Sequence, residues 1–151
     1  MASRAGAEKA FQSVEAVLGG KDVLRAKPQS ALDWVGVIRE GIPARAVESI
    51  LNTVRLSQTA LAQALGIPER TLARRRREGV LNSEESSKLL RLARVVSRAS
   101  KVFDDSVAAL DWLKSPNAAL GGNAPLSLLD TDIGAETVLD TLGRIGHGVF
   151  A

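Results

Sequence analysis

Apolar residues along this chain recur at three- and four-residue intervals, the spacing of one helical face. Nowhere do they alternate strictly, as they would along a half-buried strand. Residues 7–19 are expected to form an amphipathic helix through Phe11, Val14 and Leu18, stopped by Gly19 and Gly20. Ser30 is placed to cap a helix carrying Leu32, Trp34, Val35 and Ile38, which ends at Gly41. Pro43 suits the first position of the next helix, with Val47, Ile50, Leu51 and Val54 along one side. Asn82, with Glu85 three residues on, has the form of a capping box before a long helix over about 83–101. Asp104 or Asp105 then starts a helix through Val107, Leu110 and Leu113, which Pro116 ends. "NAALGGNAPLSLLDTD" reads as a loop with a helical turn from Pro125. A last helix over about 133–145 carries Val138, Leu139, Leu142 and Ile145. The predicted fold class is all-α.

The sharpest local pattern is "LSQTALAQALGIPERTLARRRREG". Ser57 caps a short helix that buries Leu61, Ala62 and Leu65, and Gly66 supplies a left-handed turn. Ile67 plugs the corner, and Pro68 opens a second helix with Leu72 facing inward. A small residue at 62 and glycine at 66 let two helices cross closely, as a helix-turn-helix requires. At roughly 100° per residue, Arg70, Arg74 and Arg77 cluster opposite Leu72 as a guanidinium stripe. Arginine can read guanine edges with two hydrogen bonds and also pairs with phosphates. Gln58 sits where a phosphate contact would set the register, and Thr71 can reach a phosphate or a thymine methyl.

Charge sharpens that picture. The net charge of +3 divides unevenly: 8 basic against 6 acidic groups over residues 1–56, 10 against 4 over 57–101, and 2 against 7 over 102–151. A basic middle and an acidic end suit two surfaces meeting two partners. With 3% aromatic residues, the core must be built from Leu, Val, Ile and Ala. The absence of cysteine removes disulfides, thiolate metal sites and cysteine nucleophiles, and suits a reducing cytosol. No apolar run approaches the roughly 18 residues of a membrane span, and "MASRAGAEKAF" lacks a signal-peptide core. The expectation is a cytoplasmic protein with no membrane partner.

The segment from Ser57 resembles the Xre/Cro class of repressor helix-turn-helix, in which Ser-Gln opens the first helix and Leu-Gly stands at the corner. Arg75 departs from that class, where its position is usually apolar, and its stem is expected to run along the core edge. The final 50 residues carry a Trp-Leu helix end, Pro-Asn, Leu-Gly-Gly, Pro-Leu-Ser-Leu-Leu, an isolated Gly134 and a helix closing on Gly-His-Gly-Val. That order is similar to the C-terminal toxin-binding domain of the MbcA/ParS/Xre antitoxin family. The resemblance implies an antitoxin that covers the NAD⁺ cleft of a RES-class toxin with its C-terminal segment. It also implies repression of its own promoter through the helix-turn-helix.

Catalysis is not expected. There is one histidine, His147, and its nearest helical carboxylate, Asp140, lies two turns away. "DTD" at 130–132 fits helix capping better than a metal site, and "LGGNAP" lacks the lysine of a phosphate loop. No metal and no cofactor is expected.

The chain thus divides into 1–56, a helical N-terminal region helping dimerisation; 57–101, the helix-turn-helix with its linking helix; and 102–151, the toxin-binding domain. Expected DNA contacts are Gln58, Arg70, Thr71, Arg74 and Arg77. Expected toxin contacts are the tail Gly146, His147, Gly148, Val149, Phe150 and Ala151, with Trp112, Asn117, Leu120 and Arg144. Expected partners are a RES toxin, operator DNA and a second copy in a higher-order complex. The alternative is a helix-turn-helix repressor without a toxin partner.

Overall fold

The computed structural model describes residues 13–148. Its α-helices, in chain order, are α1 (Val14–Val17), α2 (Lys21–Leu24), α3 (Ala31–Glu40), α4 (Arg45–Val54), α5 (Gln58–Leu65), α6 (Glu69–Glu78), α7 (Ser83–Phe103), α8 (Ser106–Lys114) and α9 (Asp132–Gly146). Two short 3₁₀ helices, Ala118–Leu120 and Pro125–Leu128, fill the loop between α8 and α9. The described residues form no named strand, so the fold is all-α. Among the described residues, no helix is long and apolar enough to cross a membrane.

Local signals explain most boundaries. Ser30, Ser57 and Thr131 each accept a backbone N–H in the first turn of α3, α5 and α9. Asn82 and Glu85 form the reciprocal capping box of α7. Asp104 ends α7 in the left-handed conformation and Asp105 caps α8, so the two aspartates share the corner between them. Two expectations shift. The stretch expected as one helix over 7–19 contains, from residue 13 onward, only the four-residue α1; its earlier part lies outside the described residues. Gly19 and Gly20 both take positive φ, break the chain's direction, and α2 follows as a separate turn. Pro43 stands two residues before α4, because its carbonyl and that of Ala44 accept the first turn's N–H groups.

The centre of the molecule is α7. It buries Leu89, Leu92, Ala93, Val95, Val96 and Ala99, and α1, α3, α4, α5, α8 and α9 all pack on it. A single cluster of buried residues runs from Val17 through Leu61, Leu65 and Leu72 to Leu129, Val138 and Leu142. Asp132 meets Arg91 near the middle of α7, and Gly146 lies against Val102 near its end. The last helix therefore runs alongside α7 in the same direction.

Candidate nucleic-acid and toxin surfaces

The corner between α5 and α6 has the expected form. Gly66 ends α5 with φ +69°, and its N–H and that of Ile67 close the turn back onto Gln63 and Ala62. Leu61 and Leu72 are fully buried and Ile67 nearly so, which fixes the crossing of the two helices. Thr59 donates its hydroxyl to Glu69 across the corner at 2.9 Å.

The outer face of α6 follows from the position of Leu72. Arg70, Arg74 and Arg77 are exposed and Thr71 is half-buried. Arg74 lies 3.3 Å from Glu78, an exposed pair one turn apart. No salt bridge holds Arg70 or Arg77 among the described residues. Gln58 lies at the start of α5, where its side-chain oxygen accepts from Arg76, leaving its amide N–H groups for another acceptor.

The other two arginines of the run turn toward the protein. Arg76 reaches Glu48 on α4 as well as Gln58. Arg75 donates through Nε to both oxygens of Glu85, at 2.8 and 3.1 Å, and through Nη1 to Glu78 at 3.0 Å. Donation to Glu85, and secondarily to Glu78, raises the pKa of this guanidinium further above its ordinary value. Arg75 is half-buried, with its head on the buried Glu85 carboxylate. Sequence periodicity gave no sign of Glu48 or Glu85 as partners. The available clue was that four consecutive arginines cannot share one helical face.

In the C-terminal part, Trp112 is half-buried and packs on Phe103, with ring centroids 5.8 Å apart. Asn117 accepts from Ala119 N–H through its side chain and pairs with Asn123 through its backbone, which closes the Gly121–Gly122 loop. Leu120 is buried, so its side chain supports this loop from inside. Arg144, Gly146, His147 and Gly148 are exposed at the end of α9. Gly148 has φ +74° and donates to Ile145, so the chain turns away from the helix axis there. Trp112 and Gly146 thus flank the same end of α7, through Phe103 and Val102. Val149, Phe150 and Ala151 lie outside the described residues.

The two surfaces share a frame. Gly66 at the corner rests against Asp130, and Lys88 donates to the Gly66 carbonyl at 3.2 Å. Lys114 of α8 donates to the Arg55 carbonyl just before α5. Arg91 of α7 donates to the Leu129 carbonyl at 2.9 Å and to Asp132 at 2.5 Å. These long-range lysine and arginine contacts have no local signature in the sequence.

Known proteins resemble the chain in both parts. Residues 33–94 match the antitoxin Xre-like helix-turn-helix domain. Residues 98–148 match the antitoxin Xre/MbcA/ParS C-terminal toxin-binding domain. An Antitoxin Xre from Yersinia enterocolitica is 37% identical over 119 residues, covering 78% of this chain and 80% of its own length. An Antitoxin Xre from Photorhabdus laumondii is 34% identical over 117 residues, covering 76% and 79%. A Prs ADP-ribosylating antitoxin from a Sphingobium species is 29% identical over 156 residues, covering 97% and 96%. With its helix-turn-helix and toxin-binding domains in this order, the chain belongs to the Xre/MbcA/ParS antitoxin family.

Proposed function

We propose that the protein is the antitoxin of a type II pair whose toxin is of the RES class, consuming NAD⁺ or using it for ADP-ribosylation. The C-terminal segment from Gly146 onward covers the toxin's cleft. A homodimer, assembled with toxin into a larger complex, binds operator DNA through the outer face of α6 and represses the operon in the cytoplasm. The observation that carries this reading is the pairing, on one core, of an exposed arginine face with a toxin-binding domain whose last helix ends exposed. Arg70, Arg74 and Arg77 serve base and phosphate contacts, and Gln58 and Thr71 set the register. The dimer follows from operator geometry, since one small recognition helix reads few bases and paired half-sites call for two-fold symmetry. The name of the Sphingobium relative includes ADP-ribosylation, which favours a toxin of that chemistry. The acidic balance of residues 102–151 complements a cleft basic enough to hold a pyrophosphate.

Co-expression with its cognate toxin tests this. The intact chain is expected to co-purify with the toxin and preserve cellular NAD⁺, whereas a chain lacking 146–151 folds but fails to protect. Arg70→Ala with Arg74→Ala is expected to weaken promoter binding about 100-fold or more while protection persists. If no second protein co-purifies and the truncation changes nothing, the chain is a repressor without a toxin partner.

A further inference from the structure

Four consecutive arginines, Arg74 to Arg77, point in four directions at roughly 100° per residue. Arg74 and Arg77 face solvent, while Arg75 and Arg76 straddle Leu72, roughly 60° to one side of it and 40° to the other. Leu72 is the one buried residue that α6 contributes, and the helix packs chiefly on α5. Burial therefore fixes where α6 sits more firmly than how far it is rotated about its own axis. The Arg75 ion pair supplies that missing constraint on the α7 side. The Glu85 side chain is only 8% exposed, takes two bonds from the Arg75 Nε, and accepts the Asn82 N–H at 2.9 Å. For Arg75 to swing out to a phosphate, a buried carboxylate would have to lose its cation, which is strongly unfavourable.

We propose that Arg75 is a positioning residue that, through the buried Glu85 carboxylate, sets the angle at which α6 presents Arg70, Arg74 and Arg77, and does not itself touch nucleic acid. This rests on the DNA-binding reading above. It has an outcome that simple charge arguments reverse. Replacing Glu85 by glutamine removes a negative charge near a polyanion site, which on Coulomb grounds strengthens binding. Here the same change loosens α6 and weakens discrimination. Glutamine still serves in a capping box, so the start of α7 is kept.

The test uses the full chain with two DNA fragments of equal length, its own promoter and a scrambled copy, titrated from about 50 to 200 mM salt. Glu85→Gln and Arg75→Met are each expected to lower the promoter-to-scrambled affinity ratio about tenfold, with the salt slope unchanged. The charge swap Arg75→Glu with Glu85→Arg is expected to restore part of the ratio. A salt slope shallower by about 0.9 in Arg75→Met would mean that Arg75 contacts a phosphate, which overturns the proposal. So would an unchanged ratio in Glu85→Gln. Should Arg75→Met melt below the assay temperature, Glu85→Gln carries the test alone. If the unmodified chain does not distinguish the two fragments, the DNA-binding reading itself fails and this proposal falls with it.

Discussion

The helices α6 and α9 are held to the same core by different means. Between Glu69 and Glu78, α6 buries Leu72 alone and is otherwise fastened by charge, with Arg75 on Glu85 of α7 and Arg76 on Glu48 of α4. By contrast, α9 buries Ala135, Val138, Thr141 and Leu142, and it enters the fold through a close backbone contact at Gly134. A helix that must present one broad polar face has little apolar stripe left to anchor it, so ion pairs with geometric direction take over. A helix presenting only its end can be anchored along its whole length by shape.

Substitutions that weaken one mode of attachment and spare the other test this contrast. The largest effect is expected at Gly134, where a methyl would collide with the Leu128 carbonyl oxygen, a backbone atom that cannot step aside. Gly134→Ala is expected to cost about 4 kcal/mol in thermal or urea unfolding. If α6 binds DNA as proposed, toxin binding should fail at temperatures where that DNA binding persists. Leu72→Ala removes the sole buried anchor of α6 and is expected to cost about 3 kcal/mol, with promoter binding lost before toxin binding. If both substitutions abolish both activities at every temperature, the two attachments are not separable. The smallest effect belongs to Asp132→Asn. Its carboxylate is 90% exposed, so its pair with Arg91 should contribute no more than about 0.5 kcal/mol and vanish in high salt.

Much of this was legible in the sequence because the signals are local. A cap needs a side-chain oxygen two or three residues from its N–H, and a left-handed turn favours glycine; Asn82 with Glu85, Ser57 and Gly66 announce themselves on those terms. The face of α6 was legible too, since one inward leucine sets the direction of every neighbour. What stayed hidden depends on contacts that reach beyond a single helical turn. Gly134 stood out as isolated, but nothing nearby named the Leu128 carbonyl as the reason. Arg75 broke the expected apolar pattern, and only the packed structure supplies Glu85 as its partner. Helix α3 shows the opposite case. Its capping and apolar residues predicted a helix correctly, yet it buries none of them fully, and Leu32 stands 81% exposed. Periodicity finds helices, whereas the depth of burial is decided by neighbours.

The two matched domains meet inside α7, between residues 94 and 98, in the middle of an unbroken helix. Recombination that exchanges one part for another between related antitoxins must therefore join two helical halves in phase. A single inserted residue at that seam would turn everything after it by roughly 100° and advance it about 1.5 Å. Arg91 would then no longer face the Leu129 carbonyl and Asp132, and the corner at Gly66 would lose Asp130 from beside it. The loops of such a protein are free to drift in length over generations. The spacing across this helix is not, and new pairings of the two domains should arise by seamless exchange that keeps the helical phase, not by insertion there.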